Sequence, residues 1–134
     1  MITRLSHATV YCLNQESAID FYTNKLGFEI RKDARMGDFR WVTVGPKSQP
    51  DLEIILGEIA PPMFDEENAA RMRELVAKGV VGIGVLEVDD CRATYEELTA
   101  KGVTFVQEPT ERPYGIEAIL RDDSGNWFSV GQRL

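Results

Sequence analysis

His7 and Glu53 are the two side chains of this chain whose types are best suited to chemistry. An imidazole and a carboxylate can both exchange protons and can both bind metal ions. Each lies in a segment where apolar and polar residues alternate, which is typical of a half-buried strand. The alternation places both side chains on the polar side of their strands. They are therefore the candidate catalytic residues if the chain is an enzyme.

An internal repeat sets the context of these two residues. The spacing from Ala18 to Gly27 equals the spacing from Ala93 to Gly102. In both copies an apolar helical pattern ends on glycine, a common residue just after a helix, and a strand-like run follows. The chain therefore contains two related modules that share one design.

Aligning the two copies sets His7 against Ile83 and Glu53 against Ser129. Two potential metal ligands in the first copy thus face an aliphatic and a hydroxyl side chain in the second. The asymmetry bears directly on whether the chain can hold a catalytic metal.

The patterns predict an α+β fold with the order βαβββ in each module. We expect the first module at residues 1–60, a connecting helix within 61–79 and the second module at 80–134. Asn14 and Asp89 or Asp90 are predicted to cap the two repeated helices. Helices on one side of a mixed sheet would leave a concave face that can house a cavity.

The composition excludes several classes of protein. A formal net charge of −7 argues against nucleic-acid binding, which needs a basic surface. No apolar run approaches the length of a membrane-spanning helix, and the N-terminal residues lack a signal-peptide pattern. Cys12 and Cys91 have no metal-type spacing and are expected to be buried thiols. We therefore expect a cytoplasmic protein without a membrane partner.

Several segments together carry a resemblance to a known family. They are Leu5-Ser6-His7, the run from Phe21 to Phe28, Asp89-Asp90 ahead of the second repeated helix, and the turn from Asp122 to Asn126. In these segments the chain resembles the vicinal oxygen chelate superfamily, which includes glyoxalase I, extradiol dioxygenases and bleomycin resistance proteins. The resemblance covers essentially the whole chain and indicates the fold more firmly than a function.

The resemblance also implies where a metal would be held. Metal-using members place ligands on the first and last strand of each module, which here correspond to His7, Glu53, Ile83 and Ser129. Only His7 and Glu53 match, and a single histidine cannot supply the two-histidine set of an iron dioxygenase within one chain. We therefore expect no cofactor; a divalent metal shared by two copies of His7 and Glu53 across a dimer is the alternative.

A wider set of side chains is predicted to line a ligand cavity. Aromatic side chains can stack on planar or cationic ligands, and charged ones can pair with ligand groups. Each also has a plainer interpretation as core packing, a strand end or, for the histidine and the first glutamate, a mutual pair. The predicted set is His7, Tyr11, Trp41, Glu53, Tyr114, Glu117, Arg121, Trp127 and Ser129.

The predicted function is metal-independent binding of a small molecule, with sequestration of a toxic compound as its most concrete form. The acidic balance makes a cationic ligand reasonable. The alternatives are a glyoxalase I-like lyase or isomerase, an extradiol dioxygenase, or an interaction module with a filled cavity. A metal-free isomerase would use Glu53 as base and His7 as acid. We expect a homodimer, because four-stranded sheets leave edges to cover.

Overall fold

The structure, a computed structural model, describes residues 1–134 and divides into two compact units, Met1–Arg73 and Glu74–Leu134. We call them unit 1 and unit 2. The division falls inside the connecting helix rather than on either side of it. Each unit has its own four-stranded mixed sheet, so the predicted βαβββ order is confirmed in both.

Unit 1 has strands β1 to β4 and one repeated helix. The elements are β1 (His7–Cys12), α1 (Gln15–Asp20), a π-helical turn (Phe21–Lys25), β2 (Glu29–Met36), β3 (Phe39–Gly45) and β4 (Glu53–Glu58). The sheet order is β1-β4-β3-β2, with β1 and β4 parallel and the other pairs antiparallel. Strands β1 and β2 are therefore the edges of this sheet.

Unit 2 repeats that arrangement after the connecting helix. The elements are α2 (Glu66–Ala77), which begins in unit 1, then β5 (Gly82–Glu87), α3 (Cys91–Ala100), β6 (Thr104–Arg112), β7 (Gly115–Arg121) and β8 (Trp127–Arg133). The sheet order is β5-β8-β7-β6, and only β5 and β8 run parallel. Strand β6 is the longest strand of the chain, with nine residues.

The helix caps agree with the sequence prediction. The Asn14 side chain accepts a hydrogen bond from the Ser17 amide, and Asp90 accepts one from the Ala93 amide. Both positions satisfy amides that a helix N-terminus otherwise leaves without partners. The capping residue of α3 is thus Asp90 rather than Asp89.

The first repeated helix contains one residue more than the second. Asn14 precedes Gly27 by one residue more than Asp90 precedes Gly102, and both glycines have positive φ. The extra residue is accommodated by the π-helical turn, in which the Leu26 amide donates to the Phe21 carbonyl. Such turns are rare and often lie near functional sites.

In each sheet, one face packs apolar side chains into a core. In unit 1, Val10, Val42 and Leu56 are buried together with Ala18 and Tyr22 of the helical segment. Their strand neighbours in sequence point to the opposite face because side chains alternate along a strand. We call that opposite side the open face of the sheet, and the candidate residues lie there.

The connecting helix has a narrow apolar side. Asp65 caps it by accepting a hydrogen bond from the Asn68 amide, and Ala69 and Val76 are buried. No helix of the chain combines the length and apolar character needed to cross a bilayer.

Candidate functional site

His7 and Glu53 form a direct pair on the open face of unit 1. They are register partners on the parallel strands β1 and β4, and His7 Nε2 lies 3.3 Å from Glu53 Oε2. The Ser6 hydroxyl lies 2.9 Å from His7 Nδ1. Nδ1 thus has a hydrogen-bond partner, and Nε2 faces the carboxylate at ion-pair distance. Both ring nitrogens therefore have partners within the chain.

The Glu53 carboxylate is held as an anion. The Thr43 hydroxyl donates to Oε1 at 2.7 Å, and this bond is the main cause of a pKa below the ordinary value for Glu53. Desolvation opposes the shift, while the charges of Lys32, His7 and Arg31 add to it. Lys32 Nζ lies 3.8 Å from Oε2. The carboxylate therefore stays charged at a lower pH than an ordinary glutamate does.

Aromatic rings occupy the rest of this face. The Trp41 and His7 ring centroids are 6.3 Å apart, and the rings are tilted by 50°. Tyr11 packs against Phe64 edge-on, with 4.9 Å between ring centroids. The Tyr11 ring lies over Gly57, because a Cβ there would stand 3.0 Å from Tyr11 Cδ1. An alanine at position 57 would therefore require the tyrosine ring to shift.

Unit 2 has its own hydroxyl–carboxylate pair. Ser129 Oγ donates to Glu117 Oε2 at 2.8 Å, and Arg112 Nε lies 3.8 Å from Oε1. Gln107 Nε2 donates to the Glu117 backbone carbonyl at 3.2 Å. Because Ser129 is almost fully buried, its hydroxyl anchors the carboxylate from the sheet side.

The other candidates in unit 2 have different surroundings. The Trp127 ring lies over Gly82, where an added Cβ would stand 2.4 Å from Cζ2. The Arg121 guanidinium packs on Gly79, the second residue after α2, at a similar distance from a notional Cβ. A cation there suits the negative end of the helix dipole. Tyr114 lies in the exposed turn between β6 and β7. Arg121 and Tyr114 are therefore not brought together with the Ser129–Glu117 pair.

The strand registers revise the alignment of the two modules. The first parallel pair in unit 1 is His7 with Glu53, and the first in unit 2 is Gly82 with Trp127. The amides of Glu53 and Trp127 donate to the carbonyls just before those strands, at 2.9 Å and 3.0 Å. Glu53 thus corresponds in position to Trp127, not to Ser129.

Ser129 corresponds instead to Ile55. Thr43 pairs with Ile55 across β3 and β4, and Ile119 pairs with Ser129 across β7 and β8. The alignment of the two copies made from the sequence was offset by two residues in this strand. A shift of two residues leaves every side chain on the same face, so the alternating pattern fits either alignment. Side-chain patterns alone cannot detect such a shift.

These registers reveal an exchange between the units. Trp41 stands two residues before Thr43, and Glu117 two residues before Ile119, so Trp41 and Glu117 are equivalent positions. Glu53 and Trp127 are the other equivalent pair. At these two positions each open face therefore carries one tryptophan and one carboxylate. In unit 1 the tryptophan is on β3 and the carboxylate on β4, whereas in unit 2 the carboxylate is on β7 and the tryptophan on β8.

The donor set does not fit a catalytic metal. Such sites generally need three protein ligands, and no group of three or more His, Cys, Asp or Glu side chains lies close enough to hold an ion. His7 has both nitrogens engaged, and the position of Glu53 in unit 1 is held in unit 2 by an indole.

Residues 4–130 match the family described as the Glyoxalase/Bleomycin resistance protein/Dioxygenase superfamily. The chain belongs to this superfamily. The expected family resemblance is therefore confirmed.

Solved structures of the superfamily fold are similar over nearly the whole chain. UcmS2 has 58% sequence identity and a TM-score of 0.94, with 98% of each chain covered. TnmS3, an antibiotic binding protein from Streptomyces sp. CB03234, has 27% identity and a TM-score of 0.78, covering 99% of this chain and 98% of that one.

The protein YurT of Bacillus subtilis (strain 168) is 32% identical over 126 residues, which are 93% of this chain and 95% of YurT.

The sequence analysis did not identify several residues that shape the open faces of the two units. Thr43 could have been found, because it shares the strand parity of Trp41. Ser6 directly precedes His7, but its hydrogen bond depends on the ring rotamer. Phe64 and Arg112 are brought in by a connector and a long strand, for which the sequence gives no signal.

Proposed function

We propose that the chain binds a small organic molecule without a metal and protects the cell by sequestering it, as an antibiotic-binding member of the superfamily. Superfamily membership and the likeness to TnmS3, which is named an antibiotic binding protein, support this function. The observation that carries the proposal is the closed arrangement of Ser6, His7, Glu53 and Thr43.

That arrangement supplies recognition rather than Lewis-acid chemistry. Both nitrogens of His7 and one oxygen of Glu53 have partners at hydrogen-bonding or ion-pair distances. Binding a metal at His7 would require breaking the contact with Ser6 or with Glu53. The ring thus presents its face, beside Trp41, to a ligand.

The state of Glu53 also favours binding over acid–base catalysis. A general base works best when its pKa is near the working pH. The Thr43 hydrogen bond moves the pKa of Glu53 in the other direction. Glu53 is therefore suited to remain an anion that accepts hydrogen bonds from a ligand.

The carboxylates on the two faces are already accompanied by cations of the chain. Lys32 approaches Glu53, and Arg112 approaches Glu117. A positively charged ligand would have to compete with these side chains. A ligand that donates hydrogen bonds from neutral hydroxyl or amine groups needs no such exchange.

We further propose a cytoplasmic homodimer. Both cysteines are buried free thiols, as a reducing compartment would leave them. Strand β5 is a sheet edge with exposed Ile83 and Val85 and no charged residue before Glu87, and an apolar edge of this kind is normally covered. A second copy of the chain would cover it.

The test separates binding from metal chemistry. Purified protein is analysed for metals, stripped with a chelator, and screened by thermal shift against bleomycin-type glycopeptides, other antibiotics, catechols and glutathione adducts. A ligand at about 100 times its dissociation constant should stabilise the stripped protein by about 2.7 kcal/mol. Stoichiometric metal that is lost in His7→Ala, or binding only after metal is restored, would overturn the proposal.

A further inference from the structure

The open face of unit 1 has different chemistry at its two ends. His7 begins β1, and Tyr11 follows four residues later on the same face. Glu53 stands beside His7, and Gly57 stands beside Tyr11. One end is thus built around a carboxylate and the other around an aromatic ring.

The carboxylate end can accept hydrogen bonds from a ligand. An ionised carboxylate offers about four acceptor positions. Thr43 takes one of these positions on Oε1, and His7 Nε2 lies at an ion-pair distance of 3.3 Å from Oε2. Lys32 at 3.8 Å is beyond hydrogen-bonding distance. Acceptor capacity therefore remains for a hydroxyl or amine group.

The aromatic end is contacted by a residue from outside the sheet. Phe64 lies between β4 and α2, and its amide donates to the Ala60 carbonyl at 3.2 Å. Its ring meets the Tyr11 ring at an interplanar angle of 75°. The phenylalanine ring therefore gives Tyr11 an apolar neighbour that does not belong to the sheet.

The strand spacing gives the distance between the two ends. Four residues of β-strand span about 13 Å. Trp41 lies beside His7 within this span and offers a further ring for contact.

We propose that unit 1 binds an elongated molecule in one direction, with a hydroxyl or amine donor at Glu53 and an apolar ring at Tyr11, and that Phe64 sets its maximum length. The inference rests on the proposed binding function and adds the class and orientation of the ligand. Phe64 is then a specificity-determining residue.

Rigid phenols of increasing length test the length limit. Phenol, 4-phenylphenol and 4-hydroxy-p-terphenyl are titrated by equilibrium dialysis against wild type, Phe64→Ala and Phe64→Leu. Wild type should prefer 4-phenylphenol to the terphenyl by about tenfold or more, as expected when a ring meets a wall. Phe64→Ala should lose most of that preference, and Phe64→Leu should be intermediate.

Two comparisons complete the test. Phe105→Ala removes the phenylalanine of a similar edge-on pair with Tyr95 in unit 2 and should leave the length preference within about twofold. Biphenyl lacks the hydroxyl, so wild type should bind 4-phenylphenol about tenfold more tightly, and Glu53→Gln should reduce that difference. Thermal melts establish that each variant is folded before titration.

Unchanged length preference in folded Phe64→Ala would overturn the inference, as would an equal effect of Phe105→Ala. Failure of wild type to bind any of the phenols would also overturn it. Failure of this inference is distinguishable from failure of the proposed function. The proposed function is tested by antibiotic binding to chelator-stripped protein rather than by binding of these phenols.

Discussion

The indole of Trp127 lies on the backbone of Gly82, so closely that a Cβ at position 82 would stand 2.4 Å from Cζ2. The two residues are register partners on β8 and β5. The tryptophan is therefore positioned by the absence of a side chain on the neighbouring strand.

Gly82→Ala should displace the Trp127 ring and destabilise the fold by about 1–3 kcal/mol, the usual cost of overpacking. Chemical unfolding and tryptophan fluorescence measure the two effects. Gly84→Ala is the matched control, because a Cβ at Gly84 would meet nothing within 4 Å. Equal stability of the two variants would contradict the role given to Gly82.

Gly57→Ala should act in the same way on Tyr11 in unit 1. The added methyl group would meet the ring at 3.0 Å, so we expect a shift of the tyrosine and a cost of about 1–2 kcal/mol. Urea unfolding gives the cost, and NMR of the Tyr11 ring gives the displacement. The variant should also weaken binding of 4-phenylphenol more than binding of phenol.

Acidification should weaken the fold partly through Glu53. Its folded-state pKa is lowered from an ordinary value of 4.5, so its contribution to stability is complete above that value. The contribution is lost as the pH falls through the lower folded-state pKa. The free energy of unfolding, measured from about pH 6 to about pH 3, should therefore decline less steeply in Glu53→Gln than in wild type.

Glu58→Gln is the control for that experiment. Glu58 is an exposed residue at the far end of β4 and lies outside the Thr43 pair. If the free energy of unfolding declines with acid as shallowly in Glu58→Gln as in Glu53→Gln, the effect is a general one of net charge.

Val85→Glu should weaken the proposed dimer. Val85 is 67% exposed on the edge strand β5, and a charge there would have to be desolvated on pairing. Light scattering across a dilution series should show at least a tenfold rise in the dissociation constant. Val106→Glu places the same charge on β6, the other edge of that sheet, and should leave the dimer intact.

The order of elements could be predicted because local signals set it. Asn14 begins a helix by capping it, and Gly27 and Gly102 end helices in a conformation that glycine adopts readily. The π-helical turn at Phe21–Lys25 had no such signal. The two copies were aligned from Ala18 to Gly27 and from Ala93 to Gly102, and the extra residue lies before Ala18, outside the aligned segment.

The site could be predicted only in part. Strand alternation correctly placed His7 and Glu53 on one face, and the structure brings them together. The registers of β4 and β8 depend on long-range pairing, which a sequence pattern with a period of two leaves open. The contact of Phe64 with Tyr11 depends on the path of a connector, for which no repeat or period exists.

Because His7 is the sole histidine, its ring protons are a natural NMR probe at the place where a ligand is expected. The imidazole proton signals in an NMR spectrum would come from a single ring, without isotopic substitution or assignment. In purified protein, ligand binding at the open face of unit 1, or its loss in any variant, could be followed through this ring.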